Sequence, residues 1–170
     1  MTSATATDIL PTVREGVAEV GATEDWEKSV EVLAKAIDVG AEEAETILAE
    51  GLKWKGWAIV PASVRRFQRP VTPDTEKLEA ALAWLTDGPL AMDQAQLASA
   101  IKSSPKVYLV EPEETYKEAI GAAPDEYKDA SVFKAMVLEY PTVMECTYNC
   151  KEDGCASECG SCWVSYARRA

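Results

Sequence analysis

Apolar residues recur in this chain at intervals of three and four positions, the spacing that places side chains on one face of an α-helix. The clearest stripe has intervals of 4, 3 and 4 between Trp26, Val30, Leu33 and Ile37. Thr23 stands where a capping residue is preferred, with acids in the following turn, and Gly40 stands where a helix commonly ends. We therefore predict an amphipathic helix that begins at Thr23 and ends before Gly40.

Six further segments carry a similar apolar stripe or a similar signal for the start of a helix. Their predicted starts lie near Ile9, Ala41, Asp74, Met92, Pro112 and Asp129. Asp87-Gly88-Pro89 is expected to end the helix that starts at Asp74, and Tyr140-Pro141 is expected to end the last one. The pattern as a whole predicts an all-α fold.

Two of the predicted helix ends match each other in sequence. The first is Leu97-x2-Ala100-Ile101-x3-Pro105-x-Val107, and 36 positions later comes Phe133-x2-Met136-Val137-x3-Pro141-x-Val143. A weaker copy without the proline is Leu48-x2-Gly51-Leu52-x3-Gly56-x-Ala58. A period in the mid-thirties with one helix pair per unit is typical of an α-solenoid. We predict short, irregular helical-hairpin repeats; the alternative is that two helices merely share an apolar end followed by proline.

Prolines divide the chain, because Pro61, Pro70 and Pro73 surround a short basic segment and indicate a connector between two halves. The predicted parts are a leader with a short helix at 1–22, a helical hairpin at 23–60, the connector at 61–74, helical repeats at 75–143 and a Cys-rich tail at 144–170. The first seven residues are small and polar, so they predict neither a secretory signal nor a transit peptide.

The charge balance narrows the range of functions. The chain has 29 acidic and 17 basic residues, a net charge of -12 and no histidine. An acidic surface repels nucleic acid, so a nucleic-acid partner is not expected. The absence of histidine removes the commonest general base, and no phosphate loop, nucleophile elbow or catalytic carboxylate pair is present. We predict a protein that is not an enzyme.

A basic and aromatic segment is the predicted partner-binding surface. Trp54 and Trp57 lie where a predicted helix meets the connector, and Arg65, Arg66 and Arg69 follow within it. Two large rings at such a place fit a surface that faces a partner or the edge of a membrane. The alternatives are that the rings belong to the core and that the arginines are solvated ends of elements.

All five cysteines fall in the last 25 residues, at Cys146, Cys150, Cys155, Cys159 and Cys162. Their short spacings fit two disulfides with one thiol left over, or a zinc site of four thiolates. An iron-sulfur cluster and a set of reduced thiols are the other interpretations, and Cys159-x2-Cys162 also permits a redox role. We expect a tail that is held by disulfides or zinc, in a structural role.

No apolar run approaches the roughly 20 residues that a membrane-spanning helix needs. The longest candidate, 52–64, is interrupted by Lys53, Lys55 and Pro61. A peripheral rather than a spanning relation to any membrane is therefore predicted.

The segment in which Ser103-Ser104-Pro105-Lys106-Val107-Tyr108-Leu109 follows an apolar helix resembles the repeat of mitochondrial transcription termination factor proteins. The tail Glu158-Cys159-Gly160-Ser161-Cys162-Trp163-Val164 resembles a Cys-rich variant of these proteins from algae with red-derived plastids. The chain is also similar to auxiliary linker subunits that join photosystem cores to their antennae. Family members that bind nucleic acid are basic along the concave face of the solenoid, whereas this chain is acidic.

The resemblance implies a scaffold or linker on the thylakoid of an algal plastid, joining a photosystem, with photosystem I favoured, to its light-harvesting antenna. It implies photosystem core and antenna proteins as partners, with chlorophyll or carotenoid as peripheral pigments at the interfaces. Without histidine, a chlorophyll magnesium would take an oxygen ligand. The alternatives are a plastid termination-factor relative associated with nucleic acid, or a Cys-based metal or redox protein.

Overall fold

The computed structural model describes residues 6–145, and these form α-helices and short 3-10 helices with no strand among them. The all-α prediction is confirmed over this range. The α-helices are α1 (Leu10–Glu19), α2 (Thr23–Ile37), α3 (Ala41–Gly51), α4 (Trp54–Ile59), α5 (Thr75–Asp87), α6 (Gln94–Ser103), α7 (Pro105–Tyr108), α8 (Pro112–Ala122) and α9 (Ala130–Glu139). The 3-10 helices are Ala6–Ile9, Ala62–Phe67, Asp125–Tyr127 and Pro141–Met144.

Aspartate side chains begin three of these helices. Asp74 accepts a hydrogen bond from the backbone N–H of Lys77 at 3.2 Å, which caps α5. Asp93 accepts from the N–H of Gln96 at 2.8 Å, and the Gln96 side chain accepts from the N–H of Asp93 in return. Asp129 caps α9 in the same way. Each carboxylate satisfies N–H groups that have no partner within the helix and complements the positive end of the helix dipole.

The predicted bounds of α2 are confirmed, but the residues expected to cap and to end this helix do not have those roles. Thr23 is the first helical residue and makes no side-chain capping bond, and Ala22 stands in the capping position. The helix ends at Asp38, which takes a left-handed conformation with φ 53°, while Gly40 is extended and begins α3. Aspartate tolerates the left-handed region better than most residues, so a glycine is not required to end this helix.

One hydrophobic core continues across the connector and includes residues from Leu10 to Met144. Helix α2 packs against α3, α5 and α6, and α3 packs against α7. The backbone N–H of Val71 donates to the carbonyl of Leu52 at 2.8 Å, so the connector is attached to the end of α3. Burial of these helix faces is the main stabilising contribution expected for a fold of this kind.

The two matched sequence segments also match in local structure. Helices α6 and α9 have equal length, with their bounds displaced by 36 residues, and each is followed after one residue by a short helix that begins with proline. The intervening residues have similar conformations, φ -143° and ψ 65° at Ser104 and φ -127° and ψ 79° at Tyr140. A following proline disfavours the helical region for such a residue, so the proline ends the longer helix in both places.

The structure also places helices that the pattern did not predict. Helix α4 follows α3 after two residues, and Lys53 between them has a positive φ of 65°. The apolar stripe runs through this junction without a break, so the sequence predicted one helix where there are two. None of the helices in the range 6–145 combines the length and the apolar character that crossing a bilayer requires.

Candidate interaction surface

Two tryptophans support the predicted partner-binding segment. Trp54 is only 2% exposed, and its indole N–H donates to the carbonyl of Val71 at 2.8 Å. The Trp57 ring meets the Trp54 ring edge to face, with centroids 5.2 Å apart and an interplanar angle of 72°. Trp57 is half-buried, so it continues from the core towards the surface. Burial places Trp54 beneath this surface, and Trp57 is the ring that reaches it.

Helix α1 approaches these two rings closely at Gly16. Gly16 on α1 has no side chain, and a Cβ atom there would lie 2.5 Å from two ring carbons of Trp57 and 2.8 Å from one of Trp54. No Cβ atom tolerates such distances, so glycine is required for this packing. Helix α1 therefore fixes the orientation of both indole rings.

Arg65 lies over the exposed side of Trp57. Its guanidinium carbon is 4.6 Å from the ring centroid, a distance typical of a cation–π contact. One terminal nitrogen donates to the carbonyl of Ala58 at 3.5 Å, and the Nε is buried with no hydrogen-bond partner among the described residues. The stacking contact thus holds Arg65 on α4, although the two residues belong to different helices.

The segment 57–69 exposes both apolar and basic side chains. Ile59 is 62% exposed and Phe67 is 67% exposed, and Val64 between them is also exposed. The Arg66 guanidinium lies over the Phe67 ring at 4.8 Å from its centroid. We call this surface the cationic patch; it comprises Trp57, Ile59, Val64, Arg65, Arg66, Phe67 and Arg69.

A separation of charge along the chain was missed in the sequence analysis. From Gly51 to Pro73 there are five basic residues and no acidic one, whereas the remaining 147 positions carry 12 basic and 29 acidic residues, a net charge of -17. Counting charge in successive windows would have found this segment from the sequence alone. The cationic patch lies within it, so the one strongly basic surface segment of the described chain is also the one with the most exposed apolar side chains.

The predicted site residues therefore divide into three groups. Trp54, Trp57 and Arg65 are brought together, and Arg66 and Arg69 are exposed residues of the same segment. The five cysteines lie outside the described residues, and so do the disulfide, zinc and redox predictions that rest on them. Within residues 6–145, no group of three or more Cys, Asp or Glu side chains is placed to hold a metal ion.

A buried carboxylate lies elsewhere in the fold and has a structural role. Glu45 on α3 accepts from Arg14 Nε at 2.8 Å and Nη2 at 2.6 Å, and its Oε1 also accepts from the Trp26 indole N–H at 3.0 Å. The Arg14 hydrogen bonds lower the pKa of Glu45, burial acts in the opposite direction, and the Trp26 bond adds to the lowering. Helices α1, α2 and α3 thus meet at one satisfied carboxylate, and no acid-base reaction is indicated there.

Comparisons with known proteins give no further information, because no family model, no curated protein and no solved structure matches this chain.

Proposed function

We propose that this protein is a non-enzymatic scaffold or linker that binds protein partners through two surfaces of opposite charge. The observation that carries the proposal is the cationic patch, which exposes Ile59 and Phe67 beside arginines on an otherwise acidic chain. Neighbouring exposed apolar side chains on the surface of a soluble protein commonly mark an interaction site. A body of one charge with a patch of the other can contact two different partners at once.

The chemistry of the cationic patch favours an acidic protein surface with an apolar centre. Arginine and aromatic residues are enriched at the energetic centres of protein interfaces. Arg65 and Arg66 are each stacked on a ring, so their side chains lose less conformational freedom on binding than free ones would. Complementary charge would then steer the approach and set the orientation.

The second surface is the acidic remainder of the chain, which suits a basic partner. Its net charge of -17 is distributed over helices with acids in their first turns, such as Glu42 and Glu43 on α3 and Glu113 and Glu114 on α8. The matched segments around α6 and α9 support a repeat arrangement, in which each helix unit packs on its neighbour and leaves extended faces for partners.

The assembly that we propose is a photosystem with its light-harvesting antenna, photosystem I favoured, on the thylakoid of an algal plastid. This part rests on the resemblance of the repeat unit and of the Cys-rich tail. Chlorophyll or carotenoid would be peripheral, at interfaces with neighbouring subunits. The tail, held by disulfides or zinc, would add a further attachment point.

The proposal is tested by native electrophoresis of gently solubilised algal thylakoids that contain tagged protein. We expect the wild-type chain to migrate with a photosystem-antenna complex and a variant with Arg66→Glu and Phe67→Ala to migrate as a free protein. Val132→Ala is the matched control, because Val132 is 42% exposed on α9, outside the cationic patch. A wild-type chain that migrates as a free monomer would contradict the proposal.

A further inference from the structure

A cavity of about 370 Å³ lies between the connector, α5 and the junction of α7 with α8. Leu48 and Leu52 contribute from α3, Leu78 and Ala81 from α5, and Leu109 from the end of α7. These five side chains are buried and apolar. The volume falls within the range of about 300–1,000 Å³ that is usual for small-molecule sites.

An aromatic wall closes one side of this cavity. Trp84 on α5 lines it and meets the Tyr116 ring edge to face at 5.5 Å, and Tyr116 meets Phe133 in the same way at 5.4 Å. Phe133 is fully buried, so this chain of rings connects the wall to the core. Trp84 is thereby held in a fixed orientation, which suits a wall that binds a flat or rounded apolar group.

Acidic residues outnumber basic ones among the residues that line the cavity. Asp74, Glu111, Glu113 and Glu114 are acidic, and Lys77 is the one basic lining residue in the described part of the chain. Lys117 lies nearby and forms ion pairs with Glu113 at 3.2 Å and Glu114 at 3.7 Å. The Asp74 carboxylate caps α5.

Glu111 differs from these neighbours, because its carboxylate makes no hydrogen bond or ion pair within the described part of the chain. Its backbone has a positive φ of 47°, which places the residue at the turn into α8. The lining of the cavity therefore combines buried apolar side chains, the Trp84 ring and an exposed acidic residue, Glu111, whose carboxylate has no partner in the described part of the chain.

We propose that this cavity binds a small organic cation with an aromatic or branched apolar body. The apolar body lies against Leu48, Leu78 and Trp84, and the cationic group lies near the Glu111 carboxylate. The Glu111 carboxylate attracts the cationic group, whereas a neutral molecule of the same shape gains no such attraction. This inference is independent of the proposed linker function, since no residue of the cationic patch lines the cavity.

The test uses the full-length chain labelled with ¹⁵N and three small probes. Benzyltrimethylammonium is the cation, benzyl alcohol is the neutral probe and phenylacetate is the anion. We expect the Trp84 indole N–H signal to shift saturably with the cation, with a dissociation constant at least fivefold lower than for benzyl alcohol. Phenylacetate should bind more weakly than either.

Three variants connect this binding to the cavity. Glu111→Gln keeps the side-chain shape and should weaken binding of the cation at least threefold, with little effect on benzyl alcohol. Ala80→Leu adds bulk at the lining and should weaken both probes. Glu79→Gln is the control, because Glu79 is an exposed acid on α5 that does not line the cavity.

Opposite results would overturn the inference in a recognisable way. Equal affinities for the cation and for phenylacetate would show that the cavity does not select a positive charge. Equal losses of affinity for the cation in Glu111→Gln and Glu79→Gln would show that the cation does not lie near Glu111. Shifts confined to Trp54 and Trp57 would exclude the cavity as the binding site. The spectra of unbound variants show whether each one is folded, so loss of the fold is distinguished from loss of binding.

Discussion

The Tyr108 hydroxyl donates a hydrogen bond of 2.6 Å to the carbonyl of Pro141, and this bond joins the two short proline-led helices that match in sequence. Tyr108 is fully buried, and this burial raises the pKa of its hydroxyl, with a smaller contribution from the charge of Glu145. The Ser104 hydroxyl donates a hydrogen bond of 2.6 Å to the Glu145 carboxylate. Ser104 directly precedes α7, and Glu145 directly follows the 3-10 helix Pro141–Met144. The two matched segments are thus attached to each other by polar contacts as well as by packing.

We expect Tyr108→Phe to lower the free energy of unfolding by about 1–2 kcal/mol, because the Pro141 carbonyl loses its partner while the ring still fills the core. Urea unfolding measured by circular dichroism would give the difference. Tyr127→Phe is the control, because Tyr127 is only half-buried and lies at the end of the 3-10 helix Asp125–Tyr127. We expect this change to alter the free energy of unfolding by less than about 0.5 kcal/mol. Equal losses in both variants would show that the Tyr108 hydroxyl bond contributes nothing specific.

The Glu45 carboxylate predicts how stability depends on pH. Its pKa is lowered in the folded chain, so the stability it contributes is present above its ordinary pKa of 4.5 and is lost as the pH falls through the lower, folded value. At pH 7 we expect Glu45→Gln to cost about 1–2 kcal/mol, less than a fully buried pair, because the Arg14 side chain is 56% exposed. The cost should diminish below pH 4.5.

Glu43→Gln provides the control for this pH series in urea unfolding. Glu43 lies on the same helix, and its carboxylate is 3.6 Å from Lys102 in an exposed ion pair, which contributes little in water. We expect no more than about 0.5 kcal/mol from this change. If the deficit of Glu45→Gln were the same at pH 3 and pH 7, the ionised carboxylate would not be its cause.

Gly16→Ala should destabilise the chain although alanine favours helix. The added Cβ would lie 2.5 Å from the Trp57 ring, so the ring must move, at a cost of about 1–3 kcal/mol. We expect the tryptophan emission spectrum to change as well, because Trp54 and Trp57 are both displaced. Gly121→Ala on α8 meets no atom within 4 Å and should be neutral or stabilising by up to about 1 kcal/mol.

The sequence was sufficient to predict most helices and the aspartates that begin α5 and α9, because these depend on local spacing and on side-chain to backbone bonds; Asp93, which caps α6, was not predicted. It was insufficient for the details at the end of α2, where Asp38 rather than Gly40 takes the left-handed conformation. The break between α3 and α4 also escaped prediction, because apolar residues continue through it.

Trp54 and Trp57 illustrate why the interaction surface was predicted only in outline. Both occupy similar positions in the sequence, yet one is buried and the other is half-buried. The difference depends on α1, which approaches at Gly16, and on Arg65, which covers Trp57. Contacts between residues so far apart leave no local pattern. The cavity lined by α3, α5 and α7 was missed for the same reason.

The cysteine tail gives a prediction that separates the open interpretations. Two disulfides, or a zinc ion bound by four thiolates, would each leave one of the five cysteines reactive. We therefore expect iodoacetamide to label one thiol in the native chain, as counted by intact-mass spectrometry. If disulfides hold the other four cysteines, dithiothreitol alone should make them available for labelling. If zinc holds them, a chelator alone should do so. Labelling of all five without either reagent would mean that the thiols are reduced and free of metal.

The separation of charge described for Gly51 to Pro73 also means that an external electric field pulls this segment, with five basic and no acidic residues, and the rest of the chain, with a net charge of -17, in opposite directions, as it does the two ends of a dipole. Near a strongly charged protein assembly, such a dipole is turned before any side chain makes contact. The chain would then arrive with one end already facing its partner, so fewer collisions would be unproductive. Raising the ionic strength should reduce this pre-orientation, since the field is screened within about 8 Å at physiological salt.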